Sequence, residues 1–294
     1  MKTSHGILIL LIVVIVGAFF AWAGGQLGAQ WVISNDLTIP IFTLGVGLMF
    51  IIQWLAFIPA FILRTEHFYD LVGSASYVIF VILVVLANPS IDLRSLLLAS
   101  LVLIWALRLG TFLFLRVRRV GKDRRFDELK QSALRFLIAW TVQGLWIVLT
   151  AGCALVVIAS PQHVAMTWLD LVGLSLWLLG FSIEAIADWQ KRQFKINSNG
   201  QDRFITTGLW AHSRHPNYFG EITLWLGVSL LAYPALQEWQ YVTLISPFFV
   251  LLLLTKISGI PLLEEAADKR WGDDPAYQAY KQRTPVLVPK LSSH

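Results

Sequence analysis

Charge is what this chain has least of. Only 14% of its 294 residues are Asp, Glu, Lys or Arg, where soluble domains carry about 25%. A soluble fold of this length needs a charged surface, so the shortage excludes an ordinary water-soluble globule. Cysteine occurs once, at Cys153. One thiol makes neither an internal disulfide nor a thiolate metal cluster, so packing is its expected role and no metal site is expected. No Gly-x-Gly-x-x-Gly opens a strand–helix unit, which excludes a Rossmann nucleotide fold. There is also no internal repeat and no regular series of polar residues along several helices, which argues against a transporter or channel.

What is present is apolar sequence in long unbroken runs, 56% of the chain. A bilayer core of ~30 Å takes ~20 apolar residues per helix. In lipid the backbone must bond to itself, so such runs form helices. Eight candidates occur, roughly Gly6–Ala23, Thr38–Leu63, Leu71–Ala87, Leu93–Leu115, Ala133–Ala159, Trp168–Ala187, Tyr218–Ala232 and Tyr241–Ile257. The seventh is short and begins among polar residues. The expected fold is all-α and integral to the membrane, with about eight spans (seven to eight). Residues 1–132 hold the N-terminal helices and a basic loop. Residues 133–294 hold the C-terminal helices and polar segments, the whole forming a single structural unit.

Basic residues favour the cytoplasmic side of short loops. With the N-terminus inside, the inside segments hold Lys2, Arg64, seven basic residues from Arg116 to Lys130, five from Lys191 to Arg214 and six from Lys256 to Lys290. That is 20 of the 23. Arg94, Arg108 and Arg135 fall inside helices, and the outside loops carry only Asp36, Asp92, Asp170 and Glu238. Both termini are therefore expected in the cytoplasm. The net charge of +5 reports topology and contact with anionic lipid, with no nucleic-acid partner. Lys2, the first apolar stretch and Ala21-Trp22-Ala23 also resemble a secretory signal cleaved after Ala23; cleavage would leave the remaining topology as it is.

Polar residues inside or beside a span are costly and mark a site or a pairing. They are densest from Glu184 to Glu221. If the sixth helix continues past the membrane, Glu184, Asp188, Lys191, Arg192 and Lys195 share one face at spacings of three and four. That face suits a binding site, or equally a helix end whose ion pairs offset its own charges. A polar turn follows, Asn197 to Arg203, and then Ser213-Arg214-His215-Pro216-Asn217-Tyr218-Phe219-Gly220-Glu221. Pro216 suits the first turn of a helix, with Ser213 or His215 as its cap. A helix start with Arg214 and His215 beside it suits an anion such as phosphate or carboxylate. Asn217 and Glu221 lie four apart on one face, and Glu221 needs a hydrogen-bonded partner about one turn inside the membrane. The last segment, with Glu264-Glu265, Asp268, Lys269, Arg270, Trp271, Tyr277 and Tyr280, is amphipathic enough to lie on the membrane or cap a pocket.

These residues resemble a known group. Gly208-Leu209-Trp210, the stretch Ser213 to Glu221, and the preceding Glu184, Asp188, Gln190-Lys191 and Phe194-Lys195 are similar to the C-terminal domain of steroid 5-alpha-reductase-like membrane proteins, above all their bacterial branch of unknown function. Gln53-Trp54-Leu55-Ala56-Phe57-Ile58-Pro59-Ala60 and Trp105-Ala106-Leu107-Arg108-Leu109-Gly110 resemble that branch as well. The resemblance implies a helical membrane reductase that takes NADPH from the cytoplasm and reduces an activated carbon–carbon double bond of a lipid-like substrate arriving from the bilayer. It implies a bacterial plasma membrane. By position, the implied cofactor residues are Glu184, Asp188, Lys195, Arg203, Arg214, His215, Asn217, Tyr218 and Glu221, with Glu264 and Tyr280 closing the pocket. The implied chemistry falls to Gln53, Tyr69 and Glu221.

The chain departs from the steroid reductases at two places. Their glutamine is followed by glutamate, whereas Gln53 is followed by Trp54; a later tyrosine is replaced by Trp105 or Ala106. The reaction class is therefore better supported than a steroid substrate. Isoprenylcysteine and phospholipid methyltransferases share an Arg-His-Pro-x-Tyr-x-Gly stretch and a later Glu-Glu pair, present here as Arg214–Gly220 and Glu264-Glu265. An S-adenosylmethionine-dependent methyltransferase is one alternative function, and a non-catalytic lipid-binding module is another.

Overall fold

The apolar runs do form helices. The computed structural model describes residues 3–120, 126–198, 201 and 203–290, with backbone only at 116–120. Lys2, the middle of the basic loop, and Asn199, Gly200 and Asp202 of the polar turn lie outside the described residues. In chain order the α-helices are α1 (Thr3–Gly25), α2 (Ile41–Ile62), α3 (Tyr69–Ala87), α4 (Leu93–Val120), α5 (Ala133–Ile158), α6 (Trp168–Asn197), α7 (Pro216–Ala232), α8 (Ser246–Leu252), α9 (Ile260–Trp271) and α10 (Pro275–Arg283). A short antiparallel hairpin, β1 (Gln30–Ser34) with β2 (Leu37–Pro40), joins α1 to α2.

Seven helical stretches among the described residues are long and apolar enough to cross a membrane. They are α1 to α6 and the stretch Glu238–Trp271. The seventh expected crossing, α7, is not among them and is 17 residues long. At 1.5 Å per residue that is ~26 Å, short of a ~30 Å hydrocarbon core. The last stretch changes its winding: tight 3₁₀ over Glu238–Ile245, then α8, then a wide π turn over Leu253–Ile257. The second helix starts at Ile41, not at Thr38. Pro40 holds Ile39 extended, and Leu37–Pro40 pairs as a strand instead.

The chain divides into two compact units. The first comprises Met1–Leu169 and Leu231–Ser246; the second comprises Asp170–Leu230 and Pro247–His294.

In the first unit α5 is the central post. Every residue from Ile147 to Ile158 is buried, and α1, α2, α3 and α4 all pack on this helix. Glycines admit aromatic rings between helices: Gly17 faces the Phe50 ring and Gly45 the Phe80 ring. Two of the polar groups in this interior are bonded to backbone. Asn88 donates to the carbonyls of Ile158 and Ser160, at 2.7 and 2.8 Å, closing the end of α5. Arg94, 1% exposed, gives its two terminal nitrogens to the carbonyls of Val164 and Ala165 at 2.9 and 3.0 Å. A charge in so apolar a setting is tolerated because its hydrogens are used. Glu66, also buried, takes the ammonium of Lys130.

In the second unit α6 and α7 run antiparallel along a seam of glycines. A Cβ at Gly220 would meet the Gly180 carbonyl oxygen at 2.6 Å, and one at Gly227 would meet the Gly173 carbonyl oxygen at 2.5 Å. Without hydrophobic drive in lipid, close backbone approach is how such helices associate. The segment after α6 folds back on it. Trp210 donates its indole N–H to the Ala187 carbonyl at 3.1 Å, and Leu209 donates its amide to the Gln190 side chain at 2.9 Å. Gly208 makes the corner at φ +63°, with the Gln190 amide against it where a Cβ would stand.

Candidate functional site

The site residues expected from sequence fall in the two units separately. Gln53 and Tyr69 belong to the first; Glu184, Asp188, Lys195, Arg203, Arg214, His215, Asn217, Tyr218, Glu221, Glu264 and Tyr280 belong to the second.

α6 does continue past the apolar stretch, to Asn197. Its acids at Glu184 and Asp188 are buried, while Arg192 and Lys195 further on are exposed. Lys191 lies over the Trp210 ring, 4.4 Å from its centroid. Along the same turns, the end of α6 and the returning segment flank an open cleft of about 400 Å³. Trp189, Gln193, Phe194, Asn197, Arg203 and Thr207 are among the residues lining it. Its size falls within the 300–1,000 Å³ common for ligand pockets. Of the expected cofactor residues, Arg203 lines the cleft.

A second cluster forms where α7 begins. Pro216 opens the helix directly after His215, and Phe219 donates the first helical bond to the His215 carbonyl at 3.2 Å. The His215 amide is held by the Ser213 hydroxyl oxygen at 3.1 Å. From α9, Glu264 reaches both motif residues. Its carboxylate accepts from Arg214 Nη2 at 2.9 Å and from His215 Nε2 at 2.8 Å, and Lys281 stands 3.9 Å away. Arg214 spends its other terminal nitrogen on the Lys281 carbonyl at 3.0 Å. Lys281 in turn bonds Asp268 at 2.6 Å, and Asp268 accepts from the Tyr277 hydroxyl at 3.1 Å.

This cluster sets the state of His215. A carboxylate only accepts, so the neutral ring carries its proton on Nε2 and leaves Nδ1 as a bare acceptor. Nδ1 is buried and has no partner among the described residues. The ring stacks on Tyr218, with centroids 5.6 Å apart and planes 8° from parallel. Burial pushes the imidazole below its ordinary value of 6.5, against the pull of the Glu264 bond and charge, and Lys191 and Arg214 add to the fall. The unfolded chain takes up this proton near pH 6.5 and the folded protein only at lower pH. The stability His215 confers is thus full above pH 6.5 and is lost as pH falls toward the lower folded value. Thermal unfolding of the wild type and His215→Gln, compared above and below pH 6.5, should show the wild type losing stability more steeply on acidification. Equal slopes would contradict a buried neutral imidazole.

The C-terminal tail straps this cluster through backbone. Arg214 N–H donates to the Pro285 carbonyl at 2.9 Å, Ser213 hydroxyl to Leu287 at 2.7 Å, and Lys290 N–H to His212 at 3.0 Å. Tyr280 is buried and donates to the Trp210 carbonyl at 2.7 Å; burial drives its hydroxyl up to about 12. Phe204 packs among Trp271, Tyr277 and Tyr280. Sequence inspection missed the strap and Lys281. In these bonds the tail itself contributes backbone carbonyl and amide groups, so its residue types hold no signal.

In the first unit, Gln53 Nε2 donates to Ser76 Oγ at 2.9 Å, and Ser76 donates onward to the Val72 carbonyl at 2.7 Å. The Tyr69 hydroxyl donates to the Ala139 carbonyl at 2.9 Å. Gln143 Nε2 donates to the Tyr69 carbonyl at 3.2 Å. These acceptors cannot donate back, which fixes both amide orientations and leaves Gln53 Oε1 and Gln143 Oε1 facing inward as acceptors.

An all-α, multi-pass integral membrane protein is the class these elements define. Within it, the chain belongs to DUF1295, a protein family of unknown function that matches residues 56–284. No curated protein and no solved structure matches it.

Proposed function

We propose that this protein is a membrane-embedded, NADPH-dependent reductase of a carbon–carbon double bond in a lipid-like substrate, with its cofactor site on the cytoplasmic side. The observation that carries the proposal is the cleft at the end of α6, where Arg203 stands with Trp189, Phe194 and amide side chains. Aromatic and amide walls suit a nucleotide base, and an arginine suits the phosphate that distinguishes NADPH from NADH. When bound, the cofactor supplies the hydride. The chain's own residues bind and orient: in this reading Lys195 and Asp188 act beside Arg203, and Asn217, Tyr218 and Glu221 act on α7. The bare Nδ1 of His215 suits a ribose hydroxyl better than a phosphate, because it accepts and does not donate. Arg214 is a positioning residue, since its terminal nitrogens hold Glu264 and the Lys281 carbonyl. Glu264 and Tyr280 close the site from the C-terminal segment. Tyr69, once released from the Ala139 carbonyl, is the proposed proton donor, with Gln53 beside Ser76 as the polar group of the substrate end. Both termini lie inside if α7 crosses as well, which the basic-residue asymmetry favours.

One observation favours a second reading. The Arg214–Glu264 and His215–Glu264 pairs join the two halves of a methyltransferase-like signature, which suits S-adenosylmethionine. Binding of NADPH, NADH and S-adenosylmethionine to the detergent-solubilised protein separates the two. NADPH is expected to bind, and Arg203→Ala to weaken NADPH by tenfold or more, ~1.4 kcal/mol, with little effect on NADH. Glu221→Gln is expected to weaken both nicotinamide cofactors without unfolding the protein. Binding of S-adenosylmethionine alone would replace the reductase reading with the methyltransferase one.

A further inference from the structure

Between the end of α1 at Gly25 and the start of α2 at Ile41 lies the β1–β2 hairpin, and its surface does not belong in water. The register pairs Trp31 with Ile39 and Val32 with Thr38, and Leu37 with Ser34 past a bulge. Side chains alternate across a strand. Trp31, Leu37 and Ile39 therefore share one face, while Gln30, Val32, Thr38 and Pro40 share the other. All of β1 is exposed, Trp31 by 46%, and Leu37 at the start of β2 is 49% open. A two-stranded hairpin is marginal in water on its own. An apolar face beside open strand edges is an association hazard unless something covers it.

Its place in the fold says what covers it. Both flanking helices are membrane spans, so the hairpin sits at the level where they leave the bilayer. Its base is tied there: Ala29 N–H donates to the Ala159 carbonyl at the end of α5, at 2.8 Å, and Ile41 N–H to the Ala29 carbonyl at 2.9 Å. At the same end, Trp22 packs on Trp239 with centroids 5.4 Å apart, and Gln240 donates to the Gln26 carbonyl. Trp22, Trp239 and Tyr241 are all exposed. Exposed tryptophan and tyrosine gathered at helix ends mark the headgroup level of a bilayer. From Gly24 to Pro40 the only charge is Asp36, at the turn, and no Lys or Arg is present. The attraction is therefore apolar. The open strand edges rule out burial in hydrocarbon, where no water can reach them, but the interface supplies both partners.

We propose that the hairpin lies flat in the headgroup–acyl boundary of the phospholipid bilayer as an interfacial anchor, with Trp31, Leu37 and Ile39 turned into the lipid and the Asn35-Asp36 turn in water. The test uses the full-length protein in phosphatidylcholine nanodiscs, with nitroxide labels on single cysteines introduced at positions 31, 36, 37 and 38. Cys153 is buried and stays in place, and labelled wild type serves as the blank. Collision with oxygen should exceed collision with a water-soluble nickel chelate at 31 and 37, and the order should reverse at 36 and 38. Equal nickel access at all four positions would overturn the proposal, since the hairpin would then stand in water. Labels at 31 and 37 shielded from both reagents and coupled to each other between molecules would overturn it too, since a second copy would be the cover. The unfolding temperature of each labelled variant should match the wild type, which checks that labelling has left the fold intact.

Discussion

Gly220→Ala is expected to destabilise the protein by ~3 kcal/mol or more and to abolish the NADPH binding proposed above, while Gly47→Ala is expected to leave both intact. Both changes add one methyl group to a glycine in a helix. At Gly220 that methyl would lie 2.6 Å from the Gly180 carbonyl oxygen and 2.7 Å from the Glu184 amide nitrogen. Those atoms are backbone and cannot swing away as a side chain would, so α6 and α7 must part. Parting them loses packing along the whole seam, because Gly180 and Gly227 make the same close approach. In lipid no hydrophobic gain offsets that loss. It also pushes the start of α7 away from Glu184, whose backbone and Cβ lie against Gly220. At Gly47 a methyl would meet nothing within 4 Å, and helix propensity predicts a gain of up to ~1 kcal/mol. Thermal unfolding and cofactor binding in detergent compare the two variants directly. Equal behaviour would show that the seam is looser than its geometry.

The two neighbouring glutamates are expected to differ as sharply. Glu264→Gln should cost ~2–4 kcal/mol, whereas Glu265→Gln should change nothing measurable. Glu264 holds Arg214, His215 and, at longer range, Lys281, and its side chain is 20% exposed. Removing its charge leaves Arg214 as a partly buried cation whose compensating anion is gone. Glu265 faces outward, 61% exposed, and among the described residues pairs with Lys269 one turn on. An exposed pair of that kind is screened and pays side-chain entropy for its geometry. Loss of stability in both variants, or in neither, would contradict the arrangement around Arg214.

Much of this protein is legible without coordinates, and the reason is the solvent. Lipid admits only self-bonded backbone, so the runs that became α1 to α6 announce helices by length and hydropathy alone. The continuation of α6 to Asn197 and the start of α7 at Pro216 were also legible, since charge spacing and proline chemistry act locally. What the sequence could not rank were residues of one type in different surroundings. Glu264 and Glu265 are adjacent and chemically identical, and only the packing of α9 against the α7 start separates them. Gly47 and Gly220 are both helix glycines, and only the approach of α6 distinguishes them. The hairpin hid because the stretch from Thr38 to Pro40 runs straight into the apolar run of α2 and reads as the start of that helix. The tail strap from Pro285 to Lys290 could not be read at all, since in these bonds the tail offers backbone groups to partners about seventy positions away. The sequence by itself thus determined the class, the membrane setting and the local helix signals, all of which depend on composition and near neighbours. The tertiary structure alone decided which charges meet, which glycines touch and what the C-terminal segment covers, because those depend on contacts between residues tens of positions apart.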